Sequence, residues 1–256
     1  MRKCPLLWYA KAITAGGIFL AEIRMDKLLA VCLGCSRADA KRLLSSGAVT
    51  VNGNTVKSGS EKADPQVQTV MAQGKRLNFV EHLYIVMNKP LGVVSSTDDP
   101  DSKTVLDLLS DNLRRKGLFP AGRLDKYSEG MMIITDDGDF AHRILSPKKH
   151  LPKIYEFVLD APILNDALVQ KFAQGVYLGG GEHSSPAILE PFSQTEGRVT
   201  IYEGIYHQVR RMFDQNGGKV VRLKRVQIGG LHLDPSLKPG QCRLLSEDEV
   251  KILFQI

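Results

Sequence analysis

The sequence predicts an α+β protein, with a small N-terminal domain followed by a larger one built on a mixed, largely antiparallel sheet flanked by helices. Three observations predict it. Short apolar runs alternate with turn residues and a few helical stretches, without the regular strand–helix–strand alternation of a parallel sheet. A polar stretch, residues 73–82, separates a helix-and-hairpin segment from the rest. The 256 residues, 43% of them hydrophobic, suffice for one sizeable core or two smaller ones.

The elements follow in order. Residues 1–23 begin Met1-Arg2-Lys3 and continue apolar, but Lys11 interrupts the run and no convincing cleavage site follows. A spanning helix needs about 20 apolar residues, so this leader reads as an extension, disordered or an early-called start, and no membrane is expected. The first domain is expected over 24–72. Met25, Leu28, Leu29 and Leu33 recur at helical spacing, and Gly34 stops that helix. Ser36 reads as an N-cap with Asp39 three positions on, opening a second helix that runs through Leu43 and Leu44 to Gly47. Val49-Thr50-Val51 and Thr55-Val56 then flank Asn52-Gly53, a strong hairpin signal. After the expected linker at 73–82, the second domain occupies 83–256. Its strands are read at 83–87, in the apolar run from Met131, and at 155–159, 198–202 and 220–223. Helices are read at 165–174 and 209–215.

A formal net charge of +6 points towards a polyanionic partner without deciding it. Of the four cysteines, Cys32 and Cys35 form the only Cys-x-x-Cys pair. With no second ligand pair they read as small apolar side chains at a helix end. So few cysteines fit a reducing cytosol, and a cytoplasmic location is expected. The six histidines form no ligand cluster, so no metal is expected. No heptad or exposed apolar helix calls for an obligate protein partner.

The chemistry sits in four separated segments. Asn88-Lys89-Pro90-Leu91-Gly92 follows the first strand of the second domain. Ala121-Gly122-Arg123-Leu124-Asp125 puts one carboxylate in a loop just before the apolar run, with Ser128, Glu129 and Gly130 between and Thr135-Asp136-Asp137-Gly138 beyond. Lys153-Ile154-Tyr155 starts a strand with an aromatic. Glu203-Gly204-Ile205-Tyr206-His207-Gln208-Val209-Arg210-Arg211-Met212-Phe213 is the last. Singly, each has a plain reading: a loop aspartate is usually a turn former, Tyr155 sheet packing, and Arg210-Arg211 a solvated helix pair.

In this order, behind a small helix–hairpin module, the four segments resemble the RsuA-type family of ribosomal RNA pseudouridine synthases. These enzymes detach uracil in RNA and reattach it through carbon. The likeness extends through Ser96-Thr97-Asp98-Asp99-Pro100, Pro186-Ala187 and Ile228-Gly229-Gly230, nearly the whole chain. It is greatest to the subfamily that modifies a uridine in small-subunit (16S) ribosomal RNA. Residues 24–70 resemble the S4 RNA-binding domain through Arg24, Asp26-Lys27, Ser36-Arg37 and Val51-Asn52-Gly53. Ser128 departs from the family's usual threonine but keeps the hydroxyl. Met131 and Met132 stand where Leu or Val is commoner, a tolerable exchange of apolar volume.

The resemblance implies that Asp125 is the catalytic nucleophile. It would attack the anomeric carbon of the ribose, act on the base, or deprotonate the sugar; the residues leave these routes open. Each needs the carboxylate ionised, and Arg210 would be its cationic partner. Tyr155 would stack on the extruded uracil and take part in the final proton removal, with Val209 giving apolar contact opposite. Arg123 and Lys89 would contact the RNA. In the S4-like helix, Arg37 and Lys41 lie one turn apart and, with Arg42, would meet phosphates. His207 reads as a hydrogen-bonding structural residue rather than a base. Isomerisation involves no net redox change or group transfer, so no cofactor is implied. The implied partner is 16S ribosomal RNA, free or within a small-subunit assembly intermediate.

The alternatives are a synthase acting on 23S RNA and a non-catalytic RNA-binding assembly factor. Binding alone does not need the trio Asp125, Tyr155 and Arg210. A carboxylate-dependent glycosidase would need a second positioned carboxylate, and Asp136, Asp137 and Asp139 look like a turn cluster instead.

Overall fold

Ser36 forms the capping box expected of it: its Oγ accepts from the Asp39 N–H at 3.2 Å, and the Asp39 carboxylate accepts from the Ser36 N–H at 3.2 Å. In the computed structural model, which describes residues 22–65, 67–146 and 151–255, this cap starts the second helix of the first of two compact units. The chain divides between His82 and Leu83. Most of the expected N-terminal extension lies outside the described residues.

The first unit runs β1 (Ile23–Arg24), α1 (Met25–Leu33), α2 (Arg37–Ser45), β2 (Val49–Val51), β3 (Asn54–Thr55), β4 (Lys62–Ala63), β5 (Val70–Ala72) and β6 (Lys75–Arg76). Gly34 ends α1 at φ +62°, and Asn52 and Gly53, both at positive φ, turn β2 into β3. Met25, Leu28, Leu29, Ala40 and Leu44 pack on Val49 and Val70 of the sheet β3-β2-β5-β6. Cys32 and Cys35 pack beside that core. The stretch 73–82, expected as a linker, departs from that reading: Gln73-Gly74 turns β5 into β6, and Phe79 joins the core. Two-residue strands are too short to show a period, so polarity was its only legible signal.

The second unit contains β7 (Tyr84–Lys89), β8 (Phe119–Pro120), β9 (Glu129–Thr135), α3 (Gly138–Leu145), β10 (Lys153–Leu159), α4 (Asp166–Gln174), β11 (Tyr177–Gly179), β12 (Glu182–His183), β13 (Ile188–Pro191), β14 (Glu196–Ile201), α5 (Gln208–Asp214), β15 (Val220–Ile228), β16 (Leu231–His232), β17 (Cys242–Leu244) and α6 (Glu247–Leu253). Its main sheet has the order β13-β14-β10-β15-β9-β7-β17, with β16 on β15 and β8 on β9. Every pairing is antiparallel except β15 with β9.

Burial explains the sequence patterns. Residues 130–135 of β9 are all buried, so the strand reads as one apolar run. On β10, Lys153, Tyr155, Phe157 and Leu159 are buried alternately, the signature of one covered face. The core beside β9 gathers Val86, Met131, Ile133, Phe140 and Ile144. Phe213 packs between Phe157 and Phe172, with centroids 4.5 and 5.0 Å away. The parallel contact aligns Gly130 with Arg225, and Gly130 adopts φ +107° there. A Cβ at that position would collide with the Arg225 carbonyl, so the close approach of β9 and β15 depends on glycine. Asp137 caps α3 and Asp136 accepts from the Leu83 N–H, which ties up two carboxylates of the turn cluster.

Candidate active site

Asp125 lies in the loop between β8 and β9, and that loop is fastened from several sides. Gly122 takes φ +104°, a value open to glycine, to bring the chain round. Ser95 Oγ donates to the Leu124 carbonyl at 2.7 Å and accepts from the Leu124 N–H at 2.9 Å. Beneath the loop, Lys89 Nζ donates to the carbonyls of Asp125, Ser128 and Pro90 at 3.0, 2.7 and 3.1 Å. Lys89 is 0% exposed. It is therefore not the RNA contact expected of it: its ammonium is fully engaged in fixing the loop's backbone. Burial lowers it to about 8, with the Asp125 charge acting in the opposite direction.

The Asp125 carboxylate is 31% exposed and faces a cleft of about 840 Å³ lined by residues of the second unit. His207 Nε2 approaches its Oδ1 at 3.3 Å, and Arg210 Nε stands 3.9 Å from its Oδ2. Arg210 makes its shorter bonds elsewhere. Its guanidinium donates to the carbonyls of Val220 and Tyr127, both at 2.8 Å, and to Ser128 Oγ at 3.4 Å. It clamps the loop around Asp125 as well as balancing the charge. The hydroxyl that Ser128 retains is thus part of the arrangement.

His207 caps α5 with φ +51°, a left-handed conformation costing a non-glycine residue on the order of 1 kcal/mol. Tyr206 stacks on its ring with centroids 3.9 Å apart and stands exposed at the cleft rim. Val209, the second residue of α5, is buried and lines the cleft.

Tyr155 comes from β10 and is 8% exposed; its hydroxyl accepts from Arg225 Nη1 at 3.4 Å. Arg225 also donates from Nε to the Met131 carbonyl at 2.8 Å. Lys153, two residues before Tyr155, lines the same cleft and is 7% exposed. Arg123 is exposed at the cleft wall. The geometry thus gathers Asp125, Tyr155, Val209, Arg210 and Arg123 around one cavity. Arg37, Lys41 and Arg42 are exposed on α2 of the first unit, with Arg42 paired to Asp39.

Three cleft residues, Lys153, Arg225 and His207, are given no part in the chemistry by the sequence. Lys153 had a legible signal, because i and i+2 on an alternating strand share a face with Tyr155. Arg225 had none, since its place follows from the register that sets it opposite Tyr155. Contact between His207 and Asp125 joins segments 82 residues apart and depends on the fold. Among the described residues, no group of three or more His, Cys, Asp or Glu side chains could hold a metal ion, and no helix is long and apolar enough to cross a membrane.

Comparison with known proteins agrees with this geometry. Residues 23–68 match the S4 domain, and residues 83–215 match the RNA pseudouridylate synthase family. The chain is 42% identical over 229 residues to ribosomal small subunit pseudouridine synthase A of Escherichia coli (strain K12), covering 89% of this chain and 98% of that protein. It is 43% identical over 235 residues to the uncharacterized RNA pseudouridine synthase YtzG of Bacillus subtilis (strain 168), covering 90% and 98%. The crystal structure of a pseudouridylate synthase superposes with a TM-score of 0.64 at 38% identity, covering 90% of this chain and 99% of that one. With its S4 domain, its matching synthase domain and relatives that align over almost their full length, the chain belongs to the RNA pseudouridine synthases of the RsuA type, a family of isomerases.

Proposed function

We propose that this synthase isomerises one uridine of 16S ribosomal RNA to pseudouridine, with Asp125 as its catalytic nucleophile. The observation that carries the reading is the Asp125 carboxylate itself. It is half-exposed in the cleft, flanked by His207 and Arg210, and shares the cavity with Tyr155 and Val209. The uridine enters extruded from its RNA, its ring against Tyr155 and Val209 and its ribose towards Asp125. The bond between ribose C1′ and base N1 breaks, the base turns, and a C1′–C5 bond forms. C5 loses a proton and N1 gains one, so atoms balance without a co-substrate. Asp125 serves by covalent capture, by engaging the base or by deprotonating the sugar, and Arg210 keeps its loop in place.

Arg123 at the cleft wall meets the phosphate or flipped nucleotide. Arg37, Lys41 and Arg42 on α2 contact phosphates elsewhere on the RNA, giving affinity without much sequence information. The similarity to a small-subunit synthase supports 16S over 23S RNA as target, free or in a small-subunit assembly intermediate. The small number of cysteines in the chain supports action in the cytosol.

The test maps pseudouridine by carbodiimide-blocked primer extension on unmodified 16S RNA, with and without small-subunit proteins. One new stop with wild type and none with Asp125→Asn is expected. A stop on 23S RNA alone would move the target. Silence on both RNAs, with binding intact, would favour a non-catalytic assembly role.

A further inference from the structure

Two cations at the buried side of the cleft have no assigned part in this chemistry. Lys153 is 7% and Arg225 4% exposed, and both line the cavity. They flank Tyr155: Lys153 precedes it by two residues on the covered face of β10, and Arg225 lies opposite it in register on β15. Arg225 Nη2 is buried without a hydrogen-bond partner. The Lys153 ammonium has no hydrogen bond or ion pair among the described residues.

The carboxylates of the cleft are engaged elsewhere. Glu203 accepts from the Ser185 N–H, Ser185 Oγ and Gln208 Nε2, at 2.7, 2.8 and 2.8 Å. Asp125 faces His207 and Arg210. A buried donor left in this way, as Arg225 Nη2 is, is costly unless an occupant brings an acceptor to it, and the Lys153 ammonium opens onto the same cleft.

That occupant has to be polar yet willing to leave water. A phosphodiester holds its hydration strongly and suits the exposed Arg123, whereas the carbonyl oxygens of a flat base can reach a dry floor beside a tyrosine ring. We propose that Lys153 and Arg225 form a cationic floor that receives a carbonyl oxygen of the target uracil and stabilises the negative charge on the base while its bond to the ribose is broken. This rests on the reading above, in which the uridine lies over Tyr155. When the C1′–N1 bond breaks heterolytically, its electron pair stays on the base and spreads onto O2 and O4. The same base then supplies the pair for the C1′–C5 bond. Charge of this kind, present mainly along the reaction path, is what preorganised donors in a dry site stabilise best. Burial lowers Lys153 to about 8, helped by neighbouring Arg225 and opposed by Glu203, so the ammonium is the major form near neutral pH.

Because Arg225 also holds the Met131 carbonyl, Lys153 is the position to change. Full-length wild type, Lys153→Met and Lys153→Arg are compared by single-turnover pseudouridine formation and by RNA affinity. Unmodified 16S and 23S transcripts are mixed, so the outcome does not depend on which one carries the uridine. Lys153→Met is expected to react about 100-fold more slowly or worse, with Kd for RNA within about threefold of wild type and most of the rate recovered in Lys153→Arg. If Lys153→Met does not fold, Lys153→Gln removes the charge and keeps a polar side chain. An uncharged variant as fast as an active wild type overturns the floor alone. Weakened binding with an unchanged rate at saturation overturns it in favour of a phosphate contact. A wild type silent on both RNAs overturns the underlying reading, and the floor with it.

Discussion

Lys89 and Lys153 are both buried, and burial lowers both ammonium groups to about 8, yet their surroundings differ in kind. Lys89 donates to two carbonyls of the loop that carries Asp125, those of Asp125 and Ser128, and to the carbonyl of Pro90. Lys153 has no partner among the described residues and faces the cleft. A buried charge whose donors are all engaged behaves as scaffold, and removing it leaves its partners exposed to the loss. A buried charge without partners weakens the folded state and persists where a ligand completes it. The same residue type therefore marks the rigid wall of the site in one place and its reactive floor in the other.

Substitution at the two positions should separate these roles. Lys89→Met removes the donor from three carbonyls and is expected to cost about 3 kcal/mol or more in a urea titration, with activity falling as the Asp125 loop loosens. Lys153→Met should leave stability within about 1 kcal/mol of wild type, or raise it, because an unpartnered cation gives way to an apolar chain of similar length. Equal losses at both positions would break the comparison.

Gly130→Ala drives a methyl group into the Arg225 carbonyl at a positive φ, and should cost about 2–4 kcal/mol and disturb the floor through Arg225. A smaller effect follows from pH. Each lysine is lowered from 10.5 to about 8, so the unfolded chain binds more protons than the folded one between those values. Their contribution to stability therefore rises with pH across that window. Any stability advantage of Lys153→Met over wild type should be greatest near pH 7 and shrink towards pH 10, as read from urea midpoints. The smallest effects belong to the first domain: Arg37→Ala and Lys41→Ala should each flatten the salt dependence of RNA binding by about one contact and leave stability unchanged.

Much of this architecture was legible. The capping box at Ser36, the Asn52-Gly53 turn and the apolar run of β9 rest on local rules, and all three formed. Gathering Asp125, Tyr155 and Arg210 in one cleft followed from motifs spread over 86 residues. What stayed hidden depends on contacts distant in sequence. Lysine is read as solvated by default, so the burial of Lys89 under the 121–128 loop could not be foreseen. Arg225 gained its place only when β15 met β9 and β10, and β15 itself runs to Ile228, past the expected end at residue 223. Residues 73–82 show only polarity in the sequence, because a two-residue strand such as β6 carries no period.

The most direct test of the account is the single-turnover rate of Asp125→Asn, measured beside its affinity for the same RNA. The substitution keeps the side chain's shape and removes its charge. Pseudouridine formation at least about 10⁴-fold slower, with Kd within about threefold of wild type, is the predicted result. A rate within tenfold of wild type would contradict a catalytic Asp125 and leave the cleft without its reacting group.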